Sequence, residues 1–354
     1  MTETQRTPKE IYQEELRSVE SNFKDLQSKA LLSSARDRIE DIHSRANNMN
    51  QVARDIREKG YLYEKNLEDR CTDLRKQWAV LRPRINRELD TKSRELTNSM
   101  KQVENDMRRA RASERSPSSG LAELKQAKAS VQSLENKADA IQENILGMFD
   151  ELENELNGLK SHLDVIDWSM DQVAGSTYEL LSQEGAIRAV AAKWVRNKKD
   201  EPEGILILTD QRILFERKEE VTTKKVLFIA TEKELIHEPM LDFPVRSVEK
   251  LEAKNEGFMK HEDHIHLSLS SDAPFSRVQF HIDGQPSDDW VRLIRRAKAG
   301  EFDDQRIEPV SEAEEERVRN APTSCEDCGA AFTAPLLRGQ TEIACEYCGS
   351  ITRV

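Results

Sequence analysis

Through the first half of the chain, apolar residues recur at alternating steps of three and four. The series runs Leu16, Val19, Phe23, Leu26, Ala30, then Leu67, Cys71, Leu74, Trp78, Leu81, Ile85, and resumes as Val131, Leu134, Ala138, Ile141, Ile145, Met148, Leu152. A further run, Leu156, Leu159, Leu163, Ile166, Met170, Val173, completes it. An average spacing near 3.5 residues keeps one narrow stripe against partner helices and leaves the rest of each helix to water. Residues 1–173 carry 29 Lys+Arg and 32 Asp+Glu but only four Gly and three Pro, so the exterior is charged and turns are few. The four-residue step from Leu152 to Leu156 predicts a local unwinding of any supercoil.

Ser116-Pro117-Ser118-Ser119-Gly120 predicts a firm helix break and a hairpin. Residues 82–115 carry ten basic and six acidic side chains, residues 121–154 three basic and seven acidic, so folding back places opposite charges side by side. A second break at Gly60 divides the region into arms 9–59, 61–115 and 121–173, which predicts an up-down-up arrangement. Without it, the first two arms become one rod kinked at Pro83.

From Glu184 the period changes to that of strands. They are expected at Ala186–Val195, Gly204–Leu208, Ile213–Phe215, Val226–Ala230, around Glu234–Ile236, and at Val245–Leu251, Ile265–Leu269 and Arg277–Ile282. Pro286-Ser287-Asp288-Asp289 then offers an N-cap serine and two acids in a first turn; Trp290, Leu293, Ile294 and Ala297 share a face, and Gly300 ends the helix. The stretch Gly204-Ile-Leu-Ile-Leu-Thr209-Asp-Gln-Arg212-Ile-Leu-Phe-Glu216 resembles the strand-turn-strand signature of the GRAM and bacterial PH-like families, and Asp242-Phe-Pro-Val-Arg-Ser-Val248 is similar to a later strand of theirs. That resemblance implies a bent β-barrel plugged by its C-terminal helix, and binding of a phosphoinositide, membrane surface or peptide rather than catalysis. Its lipid or anion contacts would fall on Lys193, Arg196, Lys198 and Lys199, which Asp200, Glu201 and Glu203 follow at once. The cluster His261-Glu-Asp-His264-Ile-His266 shows no second pair at ligand spacing and reads as histidines at a strand edge.

Cys325-Glu-Asp-Cys328-Gly329 and Cys345-Glu-Tyr-Cys348-Gly349 are separated by sixteen residues. Four thiolates at this spacing suit one tetrahedral Zn²⁺, and glycine after each pair suits the tight turn that points N–H groups at sulfur. The module resembles a zinc ribbon, with a structural ion, a hairpin from Ala331–Leu337 and Thr341–Ala344, and a last strand at Ser350–Val354. Four filled positions leave no place for water on the metal.

The expected fold is thus a multidomain α + β chain. It has long antiparallel coiled-coil or three-helix arms (1–173), a PH/GRAM-like β-barrel capped by a helix (174–300), an acidic linker or short helix (301–320) and a zinc ribbon (321–354). The net charge of −12 has no basic segment, which disfavours nucleic acid as a partner. No 18-residue apolar run occurs and the start lacks a secretory signal pattern, so a soluble cytoplasmic protein is expected. The motifs G-x-x-x-x-G-K-[ST], G-x-S-x-G, H-E-x-x-H and G-x-G-x-x-G are absent. The reading is a non-enzymatic scaffold that oligomerises or extends through its coil and binds protein partners through the PH-like domain and ribbon. The alternatives are a peripheral membrane-remodelling protein with weak lipid association and, behind it, a nucleic-acid-binding regulator.

Overall fold

Five helices account for the heptad region: α1 (Pro8–Ala30), α2 (Ser33–Glu58), α3 (Leu67–Ala112), α4 (Pro117–Gly147) and α5 (Asp150–Ala174). The computed structural model describes residues 7–197, 200–226, 229–256, 262–271, 273–333 and 336–354. The chain divides into two compact units, Met1–Asn50 with Asp69–Lys160, and Gln51–Glu68 with Ser161–Val354.

In the first unit the chain passes up, down and up. The Tyr12 hydroxyl donates to the Ala110 carbonyl at 2.7 Å, Ser93 Oγ to the Ala30 carbonyl at 3.1 Å and Thr72 Oγ1 to Asn50 at 3.0 Å, so α1 and α2 run against α3. Lys29 meets Glu135 at 2.7 Å and Arg38 meets Glu153 at 2.8 Å, so α4 and α5 run with α1 and α2. The stripe residues Leu16, Val19, Phe23, Leu26, Cys71, Trp78, Ile85, Val131, Leu134 and Ile145 are buried, and they find their partners within one chain. At the entry Thr7 and Glu10 form a reciprocal capping box.

Three breaks differ from the sequence expectation. The first arm is interrupted at Leu31 and Leu32, because two adjacent leucines cannot both lie on a narrow stripe: Leu32 turns to φ 54° and is buried, while Leu31 faces water. The third arm breaks at Met148 and Phe149, where the Phe149 ring turns inward onto Trp78, edge to face at 6.0 Å; the Leu152–Leu156 step passes inside α5 uninterrupted. The hairpin turn lies at Ser113–Ser116, meeting the expected breaker only at its first residue, and Pro117 opens α4 at a position where its missing N–H is not needed. A break does fall at Gly60, so Pro83 lies within α3 and no single kinked rod forms.

The second unit is organised by a seven-stranded antiparallel sheet, order β4-β3-β2-β1-β7-β6-β5. Its strands are β1 (Ala186–Trp194), β2 (Glu203–Thr209), β3 (Arg212–Val226), β4 (Ile229–Pro244), β5 (Val248–Glu256), β6 (Glu262–Leu269) and β7 (Arg277–Ile282). The expected barrel is not closed: among the described residues β4 and β5 are edges. Pro244 ends β4, residues Val245–Ser247 form a 3-10 turn, and the Val245 N–H donates to the Gln211 carbonyl at 2.8 Å rather than extending a ladder between β4 and β5. The three short strands expected at 213–236 are instead one long hairpin, paired from Arg212 opposite Pro244 to Val226 opposite Ile229. Strand β2 is apolar without alternation because both its faces are covered: Ile205 and Ile207 pack with Ala189 and Leu214 under Val173, Tyr178 and Leu180, while Leu206 and Leu208 are buried on the opposite face.

Helix α6 (Ser287–Lys298) buries Trp290, Val291, Ile294 and Ala297. Its N-cap is Pro286, not Ser287, because the Ser287 N–H and hydroxyl both donate to the Asp263 carboxylate, at 2.9 and 2.7 Å. The segment 301–307 holds buried Phe302 and Arg306, and its Gln305 carbonyl and Ile307 N–H pair with Lys65 and Leu62. Helix α7 (Glu312–Arg319) follows, capped by Ser311.

Glu216 is fully buried at the end of the cover over β2. Its carboxylate accepts from the Thr177 N–H at 2.8 Å, the Ser176 hydroxyl at 2.9 Å and the Thr177 hydroxyl at 3.0 Å. Burial acts to raise its pKa, but the Thr177 N–H, the Ser176 hydroxyl and His237 together outweigh burial and hold the carboxyl below its ordinary value. A depressed folded pKa contributes stability that is present above the unfolded value, about 4.3, and is lost as pH falls through the folded one. Glu216→Gln is expected to lower stability by about 1–3 kcal/mol at neutral pH and to flatten the acid limb of the stability curve, as measured by urea unfolding between pH 7 and 3.

Candidate metal centre

Two turns of the same design bring the four cysteines together. In the first, the Gly329 N–H donates to the Cys325 carbonyl at 2.9 Å and the Cys325 N–H to Ala330 at 2.8 Å; in the second, Gly349 donates to Cys345 and Cys345 to Ser350, both at 2.8 Å. Gly329 and Gly349 sit at φ 72° and 75°, the left-handed region that a side chain disfavours. Strands β8 (Glu342–Ala344) and β9 (Ile351–Arg353) pair behind the second turn. The expected strand at Ala331–Leu337 is not formed among the described residues; this segment makes one isolated bridge there, Ala331 with Ser324.

All four sulfurs lie within 4.8 Å of one another, with Cys325 to Cys348 at 3.7 Å and Cys328 to Cys345 at 3.5 Å. A tetrahedron with Zn–S bonds of about 2.3 Å has sulfurs about 3.8 Å apart, so the set fits Zn²⁺. The Ser350 hydroxyl is 3.1 Å from the sulfurs of both Cys325 and Cys348. That hydroxyl, and after it the Cys328 N–H, holds the Cys325 thiol down to about 6, and the Ser350 hydroxyl leads in lowering Cys348 too. The Ala330 N–H acts to lower Cys328, but the Cys348 and Cys345 sulfurs push that thiol up to about 12. Sulfurs this close cannot all ionise against one another; a divalent cation among them removes the conflict.

The module rests on the turn between β2 and β3. Gln211 exchanges two hydrogen bonds with the backbone of Arg338, at 2.5 and 3.0 Å. Buried Asp210 accepts from the guanidiniums of Arg338 at 2.6 Å and Arg306 at 2.8 Å and from the Gly185 N–H at 3.0 Å. Gly339, at φ 77°, lies so close to Ser182 that a Cβ would stand 1.9 Å from its carbonyl oxygen. One residue on from Gln211, Arg212 donates to Glu184 at 2.7 Å, to Asp242 at 2.7 Å and to the Glu179 carbonyl at 2.9 Å, while Thr209 Oγ1 accepts from the N–H groups of Gln211 and Arg212. The Thr209, Arg212 and Asp242 positions singled out in the sequence therefore meet in one ion-pair cluster that shapes the turn. The docking partners Asp210, Gln211, Arg306 and Arg338 were missed; a polar turn and one ribbon arginine give no hint of contacts about a hundred residues apart in sequence.

Among the basic residues expected at an anion site, Lys193 pairs with Glu203 at 2.6 Å, and Arg196 pairs with Asp200 at 3.2 Å and lies over the Trp194 ring. Lys198 and Lys199 lie outside the described residues, as does His261. His264 and His266 do project from one face of β6, and β7 brings His281 against His264, rings stacked at 4.9 Å.

No protein-family model matches this chain, and no curated protein matches it. Among solved structures it is similar to the Vps36 N-terminal PH domain, with 16% identity over 35% of this chain and 89% of that one and a TM-score of 0.24. It is also similar to the DH/PH domains of PDZ-RhoGEF in complex with GTP-gamma-S activated RhoA, at 10% identity over 84% and 96% of the two chains with a TM-score of 0.26. The DH/PH domains of p115-RhoGEF give 10% identity, 77% and 94% coverage and a TM-score of 0.22.

Metal analysis of the chain purified without chelator is expected to give one zinc bound by these four thiols. Cys325→Ser is expected to lose that zinc and expose residues 321–354 to protease while the helical circular dichroism stays unchanged. Gly339→Ala, which keeps every ligand, is expected to retain the zinc yet raise hydrogen exchange in 336–340, separating docking from metal binding.

Proposed function

We propose that this chain is a non-enzymatic cytoplasmic adaptor. In this reading the helices of 1–173 supply reach, 174–300 is a PH-like domain of the GRAM and bacterial PH-like kind, 301–320 is the acidic connection and 321–354 is a four-cysteine ribbon around one structural zinc. Protein partners bind through the PH-like domain and the ribbon. The observation that carries the proposal is the pair of large side chains exposed on the ribbon, Tyr347 at 73% and Ile351 at 63%. Tyr347 lies between Cys345 and Cys348, and Ile351 opens β9. Exposed aromatic and branched residues on a small rigid platform are the anchors that protein interfaces use, and a platform already ordered loses little entropy on binding. Glu326, Asp327, Glu342 and Glu346 belong to the same module, which favours a partner with a basic rim about an apolar pocket.

Two observations weigh among the alternatives. Lys193 and Arg196 are held by Glu203 and Asp200, which supports protein over anionic lipid as the ligand. Most of the heptad stripe is buried within one chain, Leu81, Ile141, Met148 and Val173 being half-buried, which supports reach over self-association as the work of the helices.

Partners captured by the tagged chain in its own cells are expected to be lost from Tyr347→Ala and Ile351→Glu while zinc content and helical signal are unchanged. An identical partner set from these variants would overturn the proposal. The full chain is expected to stay in the supernatant with anionic vesicles at physiological salt; sedimentation abolished by alanine at Lys193, Arg196, Lys198 and Lys199 would favour the membrane reading.

A further inference from the structure

We propose that Glu262, His264 and His281 form a second metal site, for a divalent transition ion, on the outer face of the β6–β7 hairpin. His264 and His281 are direct cross-strand partners, and Glu262 lies two residues before His264 on the same face. One ligand atom from each of the three lies within 4.8 Å of the others. Each imidazole already has a carboxylate against its Nε2: Glu262 at 3.3 Å from His264, and Asp283 at 3.7 Å from His281.

The supporting shell and the local charge both suit a cation. The side-chain amide nitrogen of Gln279 lies 3.1 Å from His264 Nδ1 and 3.3 Å from Glu256; turned end for end, the amide would present its oxygen to the Nδ1–H of an imidazole that binds metal through Nε2. The lysines that face the pair from neighbouring strands are engaged elsewhere: Lys193, opposite His281, with Glu203 at 2.6 Å, and Lys254, opposite His264, with Glu252 at 3.1 Å. The remaining charges here, Glu262 and Asp283, are negative. His266 is excluded from the set, since its Nε2 turns to Glu256 at 2.9 Å.

Two imidazoles and a carboxylate are donors for zinc, nickel, cobalt or copper(II) and poor donors for magnesium or calcium. Three protein ligands leave further coordination positions to water or to a donor from a partner, unlike the closed thiolate centre. The site was not readable from the His261–His266 cluster because its second histidine comes from another strand.

The test uses the full chain with its four-thiol site already loaded with zinc, titrated with Ni²⁺ by calorimetry while zinc retention is checked by metal analysis. One further equivalent is expected to bind. His281→Gln and His264→Gln are each expected to weaken it about tenfold or more, and His266→Gln to leave it unchanged. Absence of a further equivalent, or equal binding by wild type and His281→Gln, would overturn the proposal. Should a variant misfold, a titration of the wild-type chain with Zn²⁺ followed by histidine-ring NMR decides the matter: shifts confined to His264 and His281 support the site, and shifts elsewhere alone refute it.

Discussion

A buried carboxylate between two guanidiniums holds the second unit together. Asp210 is 8% exposed and Arg306 7%; taking such charges out of water costs several kcal/mol each, and only close pairing offsets it. Asp210 accepts from Arg306, Arg338 and the Gly185 N–H, so one side chain ties together the β2–β3 turn, the segment after α6 and the cysteine module. Deleting Asp210 would leave the buried Arg306 guanidinium without its carboxylate, a loss of about 3–5 kcal/mol, whereas a surface pair such as Arg353 with Glu342 contributes almost nothing. The order of the ribbon therefore has two sources. Metal would hold its knuckles, and Asp210 fixes where they sit on the sheet.

The same turn explains why the sheet stays open. Thr209 accepts the N–H groups of Gln211 and Arg212, and Arg212 reaches both Glu184 and Asp242, so β4 is anchored to the turn rather than carried round to β5. Gln211 then uses its backbone carbonyl for Val245 and its side chain for Arg338. His264 and His281 stand on one face of the β6–β7 pair, away from this turn, with His264 buried against the His281 ring.

Local chemistry was legible in the sequence wherever a short pattern fixes a short structure. The C-x-x-C-G pairs specify their own turns, the apolar face and Gly300 delimit α6 closely, and the 3,4 spacing marks the helices. What was not legible depends on partners distant in sequence. Leu32 breaks a helix because the stripe is too narrow for it and its neighbour; Phe149 does so because Trp78 offers it a ring. Pro117 begins α4, since proline is harmful inside a helix and harmless at its first residue, and the local sequence alone does not say which applies. Ser287 looked like a cap until Asp263 claimed both its donors. Among the site residues, the four cysteines were readable and Asp210, Arg338 and His281 were not, because each acquires its meaning from another element.

The two cysteine turns are alike in backbone but not in what they display, and this difference bears on what the ribbon can do. The first carries Glu326 and Asp327 between its cysteines, the second Glu346 and Tyr347. Four thiolates around a zinc leave a net charge of about −2, so the first turn adds charge to charge and suits water, while the tyrosine gives the second an apolar body with a polar tip. Arg338 could offset part of that charge, yet it is spent on Asp210 and Asp303. A platform fixed from below by Arg338 is negative on one turn and aromatic on the other; under the adaptor reading proposed above, charge would set a partner's approach and the ring would supply the buried area.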